Sequence, residues 1–271
     1  MHMDTNMLAQ NGTKPYRIGL VLGGGGARGL AHLGVLQALR EADIEPDIIS
    51  GVSAGAIVGA FYANGMAPAK IHEVIKSKGL FDYTRPNFFS GGFLKLEGLK
   101  KSLEESLTVG YIEDLNIPLV IATTCLQSGT CEFISKGPLA QWVTASSSIP
   151  VIFEPVEVNG KLYVDGGLST NFPIKPLLDQ CEKIIGVNVS PLSGNARLKN
   201  VWEVASRVFE ISINSDLSEL QKSCSLYIRP ENIEKYGLFS IKKADDIYHL
   251  GYESTLKALE VNEDLVKVNR D

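Results

Sequence analysis

Short apolar runs and amphipathic stretches alternate along most of the chain. Arg17–Leu22 (RIGLVL) is a short apolar run ending in glycines, the pattern of a buried strand. The next stretch, ARGLAHLGVLQALREA, sets Leu30, Leu33, Leu36 and Leu39, with Val35, at helical spacing. DIISGV then reads as a second strand, and AGAIVGAFYANG as a second helix that stops at Asn64-Gly65. Strand, helix, strand, helix at this pitch predicts a parallel sheet with helices on both faces.

The pattern continues past Pro68, which opens a helix (PAKIHEVIKSKG) at a position where its missing N–H does no harm. EGLKKSLEESL is an amphipathic helix; IPLVIATTCL and TCEFIS read as strands joined by a tight Ser128-Gly129 turn. PLAQWVTASSS is helical. FEPVEV and KLYVDGG flank Asn159-Gly160, a pair suited to a type I′ hairpin turn. KIIGVNVS is a further buried strand, and residues 200–223 predict one long helix with Val201, Val204, Ala205, Val208, Ile211 and Leu217 on or near one face. SLYIRP reads as a last strand and IYHLGYESTLKALEV as a last helix.

Composition narrows the class. Of 271 residues, 44% are hydrophobic, enough for one large core, and no proline-rich or serine-rich linker divides the chain. We expect a polar tail over 1–14 and a single domain over 15–271. A net charge of −5 argues against a general nucleic-acid binder. Cys125, Cys131, Cys181 and Cys224 form no C-x-x-C pair, and His2, His32, His72 and His249 are far apart, so no local metal motif is present. Reduced thiols, a start without an apolar signal core and the lack of any bilayer-length apolar run predict a cytoplasmic protein, with membrane contact at most peripheral.

Candidate chemistry lies at strand ends. Gly51-Val52-Ser53-Ala54-Gly55 is G-x-S-x-G between a predicted strand and a predicted helix, where small neighbours make room for an exposed serine oxygen. Two readings stand: a strained nucleophile, or a serine N-cap with glycines packed on the sheet. Gly23-Gly24-Gly25-Gly26-Ala27-Arg28-Gly29 follows the first strand and opens the first helix, a ready anion cradle for a phosphate or an oxyanion. Gly24, Gly26 and Gly29 also fit the dinucleotide fingerprint G-x-G-x-x-G. That rival needs an acidic residue at the end of the second strand, but Gly51-Val52-Ser53 stands there and Asp47 lies before it. Asp165-Gly166-Gly167 is either a turn former or a base aimed at Ser53. A Ser-His-Asp triad in α/β-hydrolase order leaves only His249, inside a helical stretch, so a two-residue machine suits the inventory better. His32 reads as a packed helix residue near the glycine loop, and His72 as a helix-surface residue.

GGGGARG, GVSAG and VDGG, in that order, resemble the patatin-like phospholipase family, and the similarity runs on through ASSSIPVIFEPVEVNGKLYVDGGLSTNFPI, from about Pro15 to Ser190. The resemblance implies a three-layer α/β/α sandwich with a mainly parallel central sheet, distinct from the α/β-hydrolase fold. It also implies acyl-lipid hydrolysis by a Ser-Asp dyad without a cofactor. On this chain Ser53 would be the nucleophile and Asp165 the base. Gly24, Gly25 and Gly26 would supply oxyanion-hole N–H groups, and Arg28 would steady that loop or the developing charge. The family often carries Asp or Asn where Thr124 stands, and nothing after Ser190 matches a family motif.

Expected partners are a lipid or acyl-ester substrate and, peripherally, a membrane surface. In FDYTRPNFFSGGFLKL, Phe88, Phe89 and Phe93 are candidates for an acyl-chain entrance or lid. The alternative is an aromatic cluster packed beneath a long loop.

Overall fold

The computed structural model describes residues 14–78, 96–192, 194, 198, 201–212, 217–238 and 240–262. The expected tail therefore lies outside the described residues apart from Lys14, whose Nζ donates to the Leu178 carbonyl at 2.9 Å. Phe88, Phe89 and Phe93, the entrance candidates, lie outside them altogether.

Five strands form a parallel sheet: β1 (Tyr16–Leu22), β2 (Ile48–Gly51), β3 (Leu119–Cys125), β7 (Cys181–Val187) and β8 (Leu226–Ile228), in the order β3-β2-β1-β7-β8. β2 and β3 are buried at every position, as the central strands of a sheet covered on both faces must be. The pleat sends Leu20 and Leu22 to one side, where they join the main core, and Val21 to the other. The main core lies beneath α1 (Ala31–Glu41), α2 (Ala54–Ala63), α3 (Pro68–Lys78), α4 (Glu97–Ser106), α5 (Leu139–Ser146) and α8 (Ala244–Val261). The opposite face is covered more thinly. Phe172, Ile174 and Leu177 pack there against Val21, Ile48, Val120 and Ile184, joined by Leu220 of α7 (Leu217–Lys222). The result is the expected three-layer α/β/α sandwich, with unequal outer layers.

Antiparallel strands complete the sheet: β4 (Thr130–Ile134), β5 (Val156–Val158) and β6 (Lys161–Asp165). The β5–β6 turn has φ of 51° at Asn159 and 76° at Gly160, the double positive φ that a type I′ hairpin needs. The register on β3 matters most for function. Ile121 faces both Gly51 of β2 and Ile134 of β4, while Thr123 faces both Asp165 of β6 and Glu132 of β4. β4 therefore holds one edge of β3, and β2 and β6 share the other. The C-terminal ends of β2 and β6 meet there head to head, on either side of Ala122.

One element departs from expectation. Within residues 200–223, α6 covers Val201–Ser212 and α7 covers Leu217–Lys222, and 213–216 lie outside the described residues. The expected apolar face of α6 is turned outward. Val204, Val208 and Ile211 are 44%, 61% and 52% exposed, whereas the Arg207 and Glu210 side chains on the other side are 15% and 14% exposed. Among the described residues no helix is long and apolar enough to cross a membrane.

Candidate active site

Ser53 sits where β2 gives way to α2, with φ 53° and ψ −122°. A β-carbon in that region is strained by about 1–3 kcal/mol, so the surroundings must hold it there. They do so through the main chain. The Ser53 N–H donates to Ser146 Oγ at 2.9 Å, and Ser146 Oγ in turn donates to the Ala122 carbonyl at 2.7 Å. The Ser53 carbonyl accepts from Ala56 and Ile57, starting α2. The turn is also tight: a β-carbon on Gly55 would stand 2.1 Å from the Leu22 carbonyl oxygen. The serine side chain makes no capping bond, so the N-cap alternative does not describe it.

Asp165 ends β6 and is fully buried. Its N–H donates to the Ser148 carbonyl at 2.9 Å, and its carbonyl accepts from Thr124 Oγ1 at 3.1 Å. The threonine that departs from the family pattern thus helps anchor the backbone of Asp165. The carboxylate is divided in its duties. Oδ1 accepts the Gly167 N–H at 2.7 Å, which is the turn-forming role. Oδ2 has no hydrogen-bond partner among the described residues. Burial pushes the carboxyl up to about 7, against the pull of the Ser53 hydroxyl and the Gly167 N–H, which favour the charged form. The hydroxyl is thus close enough to be felt by the carboxylate, although the two are not joined by a well-formed bond.

The glycine loop runs past both groups. Gly26 has φ 56°, and a β-carbon there would meet the Leu238 carbonyl oxygen at 2.5 Å. The N–H groups of the loop are not equivalent. Gly24 donates to the Asn171 carbonyl at 3.3 Å, whereas the Gly25 and Gly26 N–H groups find no hydrogen-bond acceptor among the described residues. Arg28 is buried and turned away to other work: Nε donates to the Tyr236 carbonyl at 2.6 Å, and the guanidinium pairs with Glu210 of α6 at 3.0 Å. Burial lowers its proton affinity, and Glu210 opposes that effect. Arg28 thus ties the glycine loop to the Tyr236 carbonyl and to α6.

Three residues with a part in this geometry carried no site assignment from the sequence. Ser146 holds the Ser53 N–H. Asn171 accepts from Gly24 and also donates through Nδ2 to the Gly24 carbonyl at 3.4 Å. Glu210 holds Arg28. Ser146 and Asn171 stood in the stretch of family similarity; Glu210 had no signal at all. His32 Nε2 donates to the Gly23 carbonyl at 2.8 Å. His72 and His249 lie instead with Asp245, where α3 meets α8. Among the described residues no group of three or more His, Cys, Asp and Glu is placed to hold a metal ion.

Comparison with known proteins bears on this arrangement. Over 87% of its length the chain is 29% identical to Lysophospholipase NTE1 of Saccharomyces cerevisiae, and it spans 16% of that protein. An uncharacterized NTE family protein of Mycobacterium bovis is 34% identical over 63% of this chain and 48% of its own. The crystal structure of VipD from Legionella pneumophila superimposes with a TM-score of 0.54 at 17% identity, over 92% of this chain and 67% of that one, a likeness of fold. A family model described as patatin-like phospholipase matches residues 20–178, which include the end of β1, the glycine loop, the Ser53 turn and the Asp165 turn. The chain belongs to the patatin-like phospholipase family.

Proposed function

We propose that this protein is a serine acyl hydrolase that cleaves carboxylic ester bonds of phospholipids, lysophospholipids or simpler acyl lipids. The observation that carries the reading is the meeting of two groups distant in sequence. Gly51, two residues before the strained, uncapped Ser53, and the buried, half-satisfied Asp165 pair with β3 on either side of Ala122, near a glycine loop whose Gly25 and Gly26 N–H groups have no acceptor among the described residues. The family match and the name of the yeast relative support a lipid ester as substrate.

In this mechanism Ser53 Oγ attacks the ester carbonyl carbon as its proton passes to Asp165 Oδ2. Gly167 keeps Oδ1 occupied, so the proton has one place to go. The Gly25 and Gly26 N–H groups receive the oxyanion; loss of one such donor in a serine hydrolase raises the barrier by roughly 3–4 kcal/mol. The tetrahedral intermediate collapses, the C–O bond of the ester breaks, and the leaving alcohol takes the proton from Asp165. Water then attacks the acyl-enzyme, giving its proton to Asp165. The second collapse frees the fatty acid and returns that proton to Ser53. Every step uses groups of this chain, with no cofactor. Peripheral contact with a lipid surface belongs to the same reading, as does a place in the cytoplasm.

Reaction with a fluorophosphonate followed by peptide mapping tests the assignment. The expected adduct is on Ser53, lost in Ser53→Ala and strongly slowed in Asp165→Asn. Labelling of another residue, or full ester turnover by either folded variant, would reject it.

A further inference from the structure

Three of the four carbonyls of Gly23–Gly26 are held by hydrogen bonds, and two of the groups that hold them are buried side chains that the mechanism does not use. Gly23 O takes the His32 Nε2–H at 2.8 Å, Gly24 O takes the Asn171 Nδ2–H at 3.4 Å, and Gly25 O takes the Arg28 N–H at 3.1 Å. In a trans peptide the C=O and the following N–H lie in one rigid plane and point in opposite directions. Holding the carbonyl therefore aims the next amide. The Gly23–Gly24 plane is gripped at both ends, by His32 at its oxygen and by the Asn171 carbonyl at its N–H. Among the described residues the Gly24–Gly25 plane is gripped at its oxygen alone, by the Asn171 side chain, which leaves the Gly25 N–H pointing away from Asn171 with no acceptor there.

We propose that His32 and Asn171 are positioning residues that clamp the glycine loop from opposite sides: His32 fixes the Gly23–Gly24 plane and Asn171 the Gly24–Gly25 plane, so that the Gly25 amide is aimed at the oxyanion. This inference rests on the hydrolase reading and adds to it residues that touch no substrate atom. A glycine run has the loosest backbone in a protein, and an oxyanion hole works only when its donors are already in place. Four glycines in a row thus need outside restraint. His32 supplies it from the first turn of α1. It is wholly buried, and because Nε2 donates, Nδ1 is the unprotonated nitrogen, without a partner among the described residues. Asn171 supplies it from the loop six residues beyond Asp165, so the segment that carries the base also grips the oxyanion loop. A β-carbon at Gly24 would collide with Asn171 Oδ1 at 2.4 Å and approach Ser53 Cβ at 3.2 Å, which shows how closely the three segments stand.

The test compares His32→Gln, which can present an amide N–H near the position of Nε2, with His32→Asn, which is too short to reach, and His32→Leu. Asn171→Asp and Asn171→Ala complete the set. Hydrolysis of a soluble p-nitrophenyl ester is measured with circular dichroism and melting temperature on the same samples. His32→Asn, His32→Leu and both Asn171 variants should lose about 10- to 100-fold in kcat with KM within about twofold, because the clamp acts where the oxyanion forms and not where the ester binds. His32→Gln should recover most of the loss. Should His32→Leu fail to fold, the Gln and Asn pair decides alone. Folded variants with unchanged kcat overturn the proposal. So does a loss of kcat that tracks melting temperature and is not rescued by Gln, since that is what packing alone would give. A native enzyme that turns over no ester overturns the hydrolase reading and this inference with it, a result distinct from active variants in an active background.

Discussion

Asp165 is a carboxylic acid in a dry site, and its proton is the residue-scale variable that can be measured most directly. With its pKa raised to about 7 by burial, it would, in the proposed mechanism, be a base matched to neutral water. We expect kcat/KM to climb about tenfold per pH unit below 7 and to level off above it. A profile flat from pH 5 to 8 would deny Asp165 the role. The same burial makes a stability prediction. Raised from 3.8 to about 7, the folded-state carboxyl holds its proton where the unfolded chain has lost it. Its contribution is therefore whole below pH 3.8 and is lost as pH rises to 7, on the order of a few kcal/mol at about 1.4 kcal/mol per unit. Asp165→Asn should abolish turnover yet melt higher than the native protein at pH 8, and the gap should shrink toward pH 4. His32 works in the opposite sense. Burial holds it down at about 4 from 6.5, so its contribution is whole above 6.5 and is lost as pH falls through 4. Removing His32 should therefore flatten the acid limb of the stability curve. The residue types of Ser53 and Asp165 were readable in the chain because each stands in a short local motif. Ser146 and Asn171 were not assigned roles, because a side chain whose partner is a distant backbone atom leaves no periodic trace.

At the scale of the element, hydrophobic order along the chain predicted strands and most helices, since burial on a sheet or beneath a helix imposes a period of its own. The β5–β6 hairpin was readable to the turn, because Asn159-Gly160 is suited to positive φ at both positions. α6 was misleading. Its valines at helical spacing suggested a face to be packed, but a spacing says only that residues share a face, not which way the face points. Arg28 decides it. A buried guanidinium at 4% exposure calls for a carboxylate, Glu210 answers, and the helix turns its ionic side inward with the valines outside. Val208→Ser should then change stability by no more than about 0.5 kcal/mol, whereas Ile57→Ala, in fully buried α2, should cost about 2–5 kcal/mol. Chemical unfolding of the two variants checks this. A large loss at Val208 would mean that the outward face is in fact covered.

At the scale of the whole molecule, the C-terminal third closes onto the glycine loop. Tyr236 and Leu238 accept from Arg28 Nε and the Ala27 N–H, Glu210 pairs with Arg28, and Phe209 lies close to Gly167, next to Asp165. Residues beyond the family match thus brace both halves of the site. Glu210→Ala strands a buried cation and should cost roughly 3–5 kcal/mol, while Arg28→Met combined with Glu210→Leu should cost much less than the single changes sum to. Urea midpoints of the three variants measure that coupling; additive losses would mean the pair is incidental.

By itself the chain determined the alternation of strands and helices, the hairpin turn, and the short motifs that carry a hydroxyl, a carboxyl and a row of glycines, because each of these rests on neighbours within a few residues. Only the tertiary structure decided that β2 and β6 end against each other on one edge of β3, that among the described residues one oxygen of Asp165 is left without a partner and two glycine amides find no acceptor while a third is engaged, and that α6 faces inward with its charges. Those outcomes depend on register and burial between segments far apart in the chain, and no local pattern encodes which distant backbone a side chain will meet.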